Sequence, residues 1–466
     1  MPRDPVPALL GPLTHLLETQ FQSLPELPQH LDFTAATRVL ETVAERLGDN
    51  YPYFHPLYAG QMLKPPHPVA RAAFALAMTL NPNNHARDGG RASSEMEIEA
   101  VRQIAAMFGW GEYLGHLTSS GTIANLEALW VAGRSAPRQR ILASEQAHYT
   151  HQRISGVLQL DFASVPADHR GRIDLDALET ELRRGGVGTV VATLGTTGLG
   201  AVDALDDILA LRERYGFRVH VDAAYGGYFA LIPEALDAPA RRAFAAIGKA
   251  DSIVIDPHKH GLQPYGCGCV LFRDPGVGQF YKHDSPYTYF TSKELHLGEI
   301  SLECSRAGAA AVALWATQQL LPLVPGGEFA RGLAQGRQAA LALDAHLRAD
   351  RRFAPLAAGA PELDIVVWAT VPSRGADLQN SSEVAHRIFD ACAARDLHLA
   401  LVLLPSAWFA LADHPAASSG PDRITCLRSV LMKPEHQAWI DRIWERLSAA
   451  SAEVLAAPGP KSPSPK

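Results

Sequence analysis

Two apolar segments of the chain end in charged residues, and this feature constrains the fold more than any other. Residues 250–255 form a run typical of a buried strand, and Asp256-Pro257-His258-Lys259 follows it directly. The segment His220-Val221-Asp222 places an acid, Asp222, at the end of a second apolar strand. A charged side chain at the carboxyl end of a buried strand is costly unless it is paired or used. The pattern therefore predicts an α/β fold with a polar site where these strands end.

Lys259 and Asp222 together have the chemistry that one cofactor requires. A lone lysine after a strand is most often a surface residue. A lysine that forms a Schiff base and an aspartate that faces a pyridinium nitrogen are, however, the two groups on which pyridoxal phosphate chemistry depends. The small residues Ser120-Gly121-Thr122 open a helix, where backbone N–H groups attract an anion such as phosphate. We therefore expect a pyridoxal phosphate site.

The order of these motifs resembles the group II pyridoxal-phosphate-dependent amino-acid decarboxylases. Besides the lysine and aspartate segments, the resemblance rests on residues 117–125 and on the glycine–threonine segment 195–203. The lysine segment is most similar to the archaeal tyrosine/aspartate decarboxylase branch, and sphingosine-phosphate lyase has a related one. The likeness covers most of the chain, residues 53–433.

The resemblance implies the α/β fold of PLP-dependent transferases, fold type I. In this fold a large domain with a mostly parallel seven-stranded sheet carries a small α+β C-terminal domain. We expect an N-terminal arm over residues 1–84, a large cofactor-binding domain over 85–328, a small domain over 329–450 and a disordered tail over 451–466.

The resemblance also implies the residues of the cofactor site. Lys259 would form the Schiff base, Asp222 would keep the ring nitrogen protonated, and Ala224 would pack on the ring face opposite His148. The full set of implied cofactor-binding residues is Ser120, Gly121, Thr122, His148, Thr197, Asp222, Ala224, His258 and Lys259.

No single role is assigned to three further residues near these motifs. His151 lies close to His148 but matches no position of the family motif. Asp203 is equally well a helix cap or an acid that helps to position the lysine region. Asp256 stands where much of the family has asparagine, so its relation to the phosphate is left open.

Substrate contacts are expected from irregular, aromatic segments. Tyr58, in the segment 51–60, is a candidate substrate contact. In the decarboxylases a tyrosine on a loop near residues 280–300 protonates the reaction intermediate; Tyr287 matches it best, with Tyr289 as the alternative. Arg306 either orders the site or caps a helix, and Arg428 is more plausible as a structural residue than as a ligand of a substrate carboxylate.

Composition excludes several classes of partner. The net charge of −7, with 20% charged residues, describes a globular protein, and no basic patch for nucleic acid is present in the sequence. No apolar run approaches the length of a membrane span, and the start of the sequence lacks the apolar core of a secretory signal. The five cysteines lack zinc-site spacing and are interpreted as reduced thiols, so we expect a cytoplasmic enzyme without a metal.

These expectations add up to a homodimeric L-amino-acid α-decarboxylase with its active site at the subunit interface. The catalytic residues would be Lys259, His148 and Tyr287, and an aromatic amino acid is the expected substrate. Four alternatives stay open: an aldehyde-lyase of the sphingosine-phosphate type, a decarboxylase of aspartate or glutamate, an aminotransferase, and a cofactor-binding protein without activity.

Overall fold

A computed structural model of the chain describes residues 4–456, except residues 26, 29, 86, 283–299, 372–377, 410 and 412–420. Within this part, seven strands form one sheet: β1 (Leu114–Thr118), β2 (Arg140–Ser144), β3 (Phe162–Val165), β4 (Val187–Thr193), β5 (Arg218–Asp222), β6 (Ser252–Ile255) and β7 (Gly268–Phe272). Their spatial order is β1-β7-β6-β5-β4-β2-β3. Neighbours pair in parallel except at β7, which runs antiparallel to β1 and β6. The predicted mostly parallel seven-stranded sheet is confirmed.

Helices precede the first strand of this sheet and follow most of the others. They are α4 (Arg91–Met107), α5 (Gly121–Ser135), α6 (Thr150–Val157), α7 (Leu175–Arg183), α8 (Leu205–Tyr215), α9 (Ala238–Ala246) and α10 (Gly308–Leu320). Every residue of β4 is buried, as expected for a parallel strand covered on both faces. Side-chain caps begin several helices: Ser120 accepts the Ile123 N–H at the start of α5, and Asp174 accepts the Ala177 N–H at the start of α7.

The C-terminal part forms the predicted small α+β domain. Its antiparallel sheet contains β8 (Phe353–Pro355), β9 (Ile365–Thr370), β10 (Ala400–Pro405) and β11 (Arg423–Val430) in the order β10-β11-β9-β8. Its helices are α11 (Glu328–Ala349), α12 (Leu378–Ala393) and α13 (His436–Ala456). Trp368 of β9 is fully buried in one apolar cluster that also contains Leu343 of α11 and Leu447 of α13.

The chain end departs from the prediction. Helix α13 continues to Ala456, so residues 451–456 are helical and do not belong to a tail that begins at residue 451. The reason is continued apolar spacing, since Ser451 and Val454 are buried one turn apart. Residues 457–466 lie outside the described residues.

The N-terminal region consists of α1 (Val6–Thr19), α2 (Phe33–Leu47) and α3 (Pro68–Met78). Helix α3 packs on α10, whereas none of the residues of α2 is buried. The apolar residues of α2 are instead exposed: Phe33, Val39, Leu40, Val43 and Leu47. None of the described helices combines the length and the hydropathy needed to cross a bilayer.

Candidate active site

A cavity of about 200 Å³ lies at the carboxyl ends of the central strands β4, β5 and β6. This edge is where ligands bind in open α/β sheets. The lining residues are Ser120, Gly121, Thr122, Asn125, His148, Thr150, Thr193, Gly195, Thr197, Asp222, Ala224, Tyr225, Asp256, His258 and Lys259. All nine residues that the sequence implied for the cofactor site are in this set, so the fold brings them together.

Lys259 reaches the cavity from the turn that follows β6. Its Nζ lies 3.1 Å from Oδ2 of Asp256, and His258 Nε2 lies 3.5 Å from the same oxygen. Asp256 is 3% exposed, so its carboxylate brings a buried negative charge close to the amine. Lys259 therefore has a charged partner in this structure, as the position of a lysine in a largely buried site requires.

The N-terminus of α5 forms one wall of the cavity. Ser120 caps the helix, and the N–H groups of the first helical turn have no acceptor within the helix. A Cβ at Gly121 would lie 2.5 Å from Oδ2 of Asp256, so a larger residue would fit only if the Asp256 carboxylate moved. The wall thus presents the positive end of a helix dipole together with hydroxyl groups, which is a suitable site for an anion.

Asp222, the last residue of β5, is held by three donors. Its Oδ2 accepts from His151 Nε2 at 2.8 Å and from Asn125 Nδ2 at 3.4 Å, and its Oδ1 accepts from the Ala224 N–H at 3.1 Å. Burial opposes ionisation, but the hydrogen bond and charge of His151 and the charge of Lys259 outweigh it and hold the pKa of Asp222 below its usual value. Asp222 is therefore a carboxylate at neutral pH.

His148 lines the cavity just before α6. The backbone N–H of Thr150 donates to His148 Nδ1 at 3.3 Å, and the Thr150 hydroxyl lies 2.7 Å from the same nitrogen. Because Nδ1 is an acceptor, the ring proton is at Nε2. Burial lowers the pKa of His148, so the ring is neutral at pH 7.

The glycine–threonine segment after β4 closes another side of the cavity. Gly195 has a φ of +103°, and a Cβ there would lie 3.0 Å from the Gly226 nitrogen, so only glycine fits without strain. Arg428 of β11 donates to the carbonyls of Thr197 at 2.7 Å and Gly198 at 3.1 Å. It also donates to Gln61 Oε1 at 3.1 Å, so its guanidinium is engaged by the protein, as expected for a structural residue.

Asp203 also has a structural role. Its buried carboxylate accepts the backbone N–H groups of Ile173 and Thr193, each at 2.7 Å. It does not cap α8, whose N-cap is Ala204. Asp203 therefore ties the end of β4 to the segment before α7, and its cap interpretation is wrong.

Several buried polar atoms of the cavity residues lack a partner. Among the described residues, Thr193 Oγ1, Asp256 Oδ1 and His258 Nδ1 are buried without a hydrogen bond. Buried polar atoms are normally satisfied, so these three indicate a polar ligand. An amine, a carboxylate and an anion-binding helix end in one cavity match the aldehyde, the ring nitrogen and the phosphate of pyridoxal phosphate. The residues present fit this cofactor.

The predicted substrate and loop residues do not all meet at the cavity. The Tyr58 ring packs near Tyr51 and Tyr53, and its carbonyl accepts from Lys433 Nζ at 2.6 Å, so within one chain it lies outside the lining set. Tyr287 and Tyr289 lie outside the described residues.

Arg306 does not belong to the lining set either, and its side chain is 7% exposed. It donates to Glu97 Oε1 at 2.7 Å and to the Leu117 carbonyl at 2.6 Å. It thereby supports the end of β1, next to the residues that begin α5.

Two residues near Asp222 were missed as site residues by the sequence analysis. Asn125 faces the carboxylate from the second turn of α5, and His151 does so from the first turn of α6. Asn125 belonged to a recognised motif without a role of its own. His151 had no motif, and its only signal was its position three residues after His148.

Comparisons with curated proteins point in the same direction. An L-tyrosine decarboxylase of Enterococcus faecium is 29% identical, and the match covers 61% of this chain and 63% of the relative. A probable L-tyrosine/L-aspartate decarboxylase of Methanothrix thermoacetophila is 31% identical, with 54% of this chain and 63% of the relative covered. The chain thus spans less than two thirds of the length of these relatives.

Solved structures share the fold. Mouse CSAD superposes with a TM-score of 0.76 at 22% identity, covering 94% of this chain and 92% of that chain. Oryza sativa TDC with PLP and tryptamine superposes with a TM-score of 0.75 at 18% identity, covering 98% and 99%. A family model described as the pyridoxal-dependent decarboxylase conserved domain matches residues 51–369. Since this match extends over more than half of the sequence, the chain belongs to the pyridoxal-dependent decarboxylase family.

Proposed function

We propose that the protein is a pyridoxal-phosphate-dependent L-amino-acid α-decarboxylase that acts on an aromatic amino acid such as tyrosine, phenylalanine or tryptophan. The observation that carries the proposal is the presence of the Lys259 amine and the ionised Asp222 carboxylate in one cavity at the sheet edge. The substrate class is supported by relatives named L-tyrosine decarboxylase.

The cavity favours an aromatic side chain over an acidic one. Archaeal relatives carry aspartate as well as tyrosine in their names, so an acidic substrate is the second candidate. Among the described residues that line the cavity there is no arginine, and the nearby Arg428 is engaged by backbone carbonyls and Gln61. Among the described residues of one chain, a second carboxylate would therefore lack the bidentate partner that such groups usually find.

When bound, pyridoxal phosphate supplies an aldehyde that condenses with amines and a ring that accepts the electrons of a bond broken at the α carbon. Lys259 would hold the cofactor through its side-chain amine. Asp222 supplies the negative charge that keeps the ring nitrogen protonated, and the residues from Ser120 to Thr122 bind the phosphate. Thr197, Ala224 and His258 complete the walls.

Proton transfer falls to residues around the α carbon. The neutral His148 carries its proton at Nε2, so it is able to donate a hydrogen bond to a substrate carboxylate or to move a proton. Tyr287 is the second proposed donor. Tyr58 is proposed as a substrate contact, which requires it to reach the site of a partner subunit.

A homodimer with the active site at the subunit interface is part of the proposal. Its support is α2, where Phe33, Leu40 and Leu47 are 69%, 64% and 63% exposed on one face of the helix. An amphipathic helix without a buried residue needs a partner surface. A cytoplasmic location is also proposed, and the free thiols of all five cysteines agree with it.

A panel incubation tests the proposed activity. The purified protein, supplied with pyridoxal phosphate, is incubated with each L-amino acid in turn, and carbon dioxide and the organic product are followed together. Carbon dioxide with the matching aromatic amine is the expected result, and Lys259→Ala is expected to abolish it.

Other products identify the alternatives. An amine from aspartate or glutamate would move the substrate class to acidic amino acids. A keto acid formed without carbon dioxide would indicate an aminotransferase. No carbon dioxide from any amino acid would refute the decarboxylase, and an aldehyde-lyase would be tested next. Cofactor binding without turnover of any substrate would favour the binding protein.

A further inference from the structure

We infer that His151 is a positioning residue of this site, which acts through Asp222 to strengthen the contact between the protein and the ring nitrogen of the cofactor. His151 Nε2 lies 2.8 Å from Asp222 Oδ2, and the two side chains are 1% and 6% exposed. The inference depends on the cofactor of the family and does not depend on which amino acid is the substrate.

The two oxygens of Asp222 are used differently. Oδ2 accepts from both His151 and Asn125, so both of its lone pairs are engaged inside the protein. Oδ1 accepts only the Ala224 N–H among the hydrogen bonds of the described residues, which leaves one lone pair. Because Asp222 lines the cavity, Oδ1 is the oxygen available to a protonated ring nitrogen.

A series of hydrogen bonds also links Asp222 to residues on the side of α5. Burial lowers the pKa of His220 to about 3, so this histidine is neutral and carries one ring proton. His220 Nε2 donates to Asn125 Oδ1 at 2.8 Å, while Ser252 Oγ lies 2.9 Å from Nδ1. The Asn125 amide is thereby oriented with its NH₂ group towards Asp222.

The hydrogen bonds from His151 and Asn125 to Asp222 differ in strength. The His151 contact is 0.6 Å shorter than that of Asn125, at 2.8 Å against 3.4 Å. The usual N–H···O distance is about 2.7–3.2 Å, so the His151 contact lies inside this range and the Asn125 contact lies beyond it. His151 is therefore the main side-chain donor that fixes the rotamer and the charge of Asp222.

A residue that only fills space at this position would not need to be histidine. His151 Nδ1 is buried without a hydrogen bond among the described residues, so the ring carries an unsatisfied polar atom. An apolar side chain of similar volume would avoid this unfavourable term. The single satisfied nitrogen is the one that faces Asp222, which indicates that the contact with the carboxylate is what the histidine supplies.

The test compares two ligands on the apoprotein. One is pyridoxal phosphate, and the other is its analogue in which CH replaces the ring nitrogen. Dissociation constants are measured by equilibrium dialysis for the wild type, His151→Phe and His151→Gln. His151→Phe is expected to weaken binding of pyridoxal phosphate on the order of tenfold or more, while binding of the analogue changes less than about threefold. His151→Gln, which keeps a donor, is expected to recover part of the loss.

The chain offers a matched control. His116 and Glu127 form another buried histidine–carboxylate pair, with 2.9 Å between Nε2 and Oε2, and neither lines the cavity. His116→Phe is expected to affect both ligands alike.

An equal loss for both ligands in His151→Phe, or no loss for either, would overturn the inference. If His151→Phe does not fold, as judged by circular dichroism, His151→Asn replaces it in the same comparison, since its shorter side chain does not reach Asp222. No turnover is needed, so failure of the proposed activity would leave the result interpretable.

Discussion

Gly121 packs against the Asp256 carboxylate, and Gly121→Ala is expected to destabilise the protein. The new Cβ would lie 2.5 Å and 2.6 Å from the two carboxylate oxygens of Asp256, below the 3.0 Å that real Cβ atoms respect. Asp256 is 3% exposed and pairs with Lys259 at 3.1 Å, so it cannot move without losing that pair. Overpacking of this kind costs about 1–3 kcal/mol.

At most helical glycines a change to alanine is expected to stabilise the protein. Replacement of a helical glycine by alanine usually stabilises by about 0.5–1 kcal/mol. Gly156 of α6 is the matched control, because nothing lies within 4 Å of an added Cβ there and Gly156→Ala should be neutral or stabilising. The assay is urea denaturation of the apoprotein, followed by circular dichroism for both variants.

A double-mutant cycle isolates the contact. In an Asp256→Ala background the carboxylate oxygens are gone, so the penalty of Gly121→Ala should fall to less than about 0.5 kcal/mol. A Gly121→Ala protein as stable as the wild type, or an equal penalty in both backgrounds, would refute the reasoning.

Three further predictions follow from buried groups and from the exposed helix. Burial lowers the pKa of His220 and His436 to about 3, whereas the unfolded value is near 6.5, so the unfolded chain binds more protons below pH 6.5. The free energy of unfolding should therefore fall as the pH drops from 6.5 towards 3, by up to about 1.4 kcal/mol per pH unit for each histidine. In His436→Gln the free energy of unfolding, measured by denaturation at a series of pH values, should depend less steeply on pH. Arg428→Ala should destabilise by roughly 2 kcal/mol or more and weaken cofactor binding, because the carbonyls of Thr197 and Gly198 lose a charged donor; unchanged cofactor affinity would show that this loop does not depend on Arg428. Leu40→Asp in α2 should shift the protein towards monomer in sedimentation experiments, whereas Thr42→Asp on the opposite face should not; equal behaviour of the two variants would argue against α2 as the dimer surface.

Much of the fold was predictable because its signals are local. The strands β5 and β6 are short, and the charged residue that ends β5 or follows β6 is one that sequence alone marks as unusual. In a parallel sheet the carboxyl ends of neighbouring strands meet at one edge. Knowing that Asp222 and Lys259 both follow such strands was therefore enough to expect them in one cavity.

The end of the last helix was less predictable. Its apolar spacing continues past residue 450, but the proline-rich residues that follow suggested an earlier end. Helix boundaries depend on packing as much as on propensity. Here the burial of Ser451 and Val454 against the small domain extends the helix.

The sequence by itself determined the order of the strands along the chain, and it predicted the cofactor roles of Lys259 and Asp222. Only the tertiary structure decided the partners: His151 on Asp222, Arg428 on the loop after β4, and Tyr58 outside the cavity of its own chain. The physical reason is the separation along the sequence over which each kind of interaction acts. Strand and turn signals arise between residues a few positions apart, whereas a hydrogen bond between residues from distant parts of the chain forms only within about 3 Å and at a suitable angle. Such positions follow from the packing of whole elements, which no local pattern encodes.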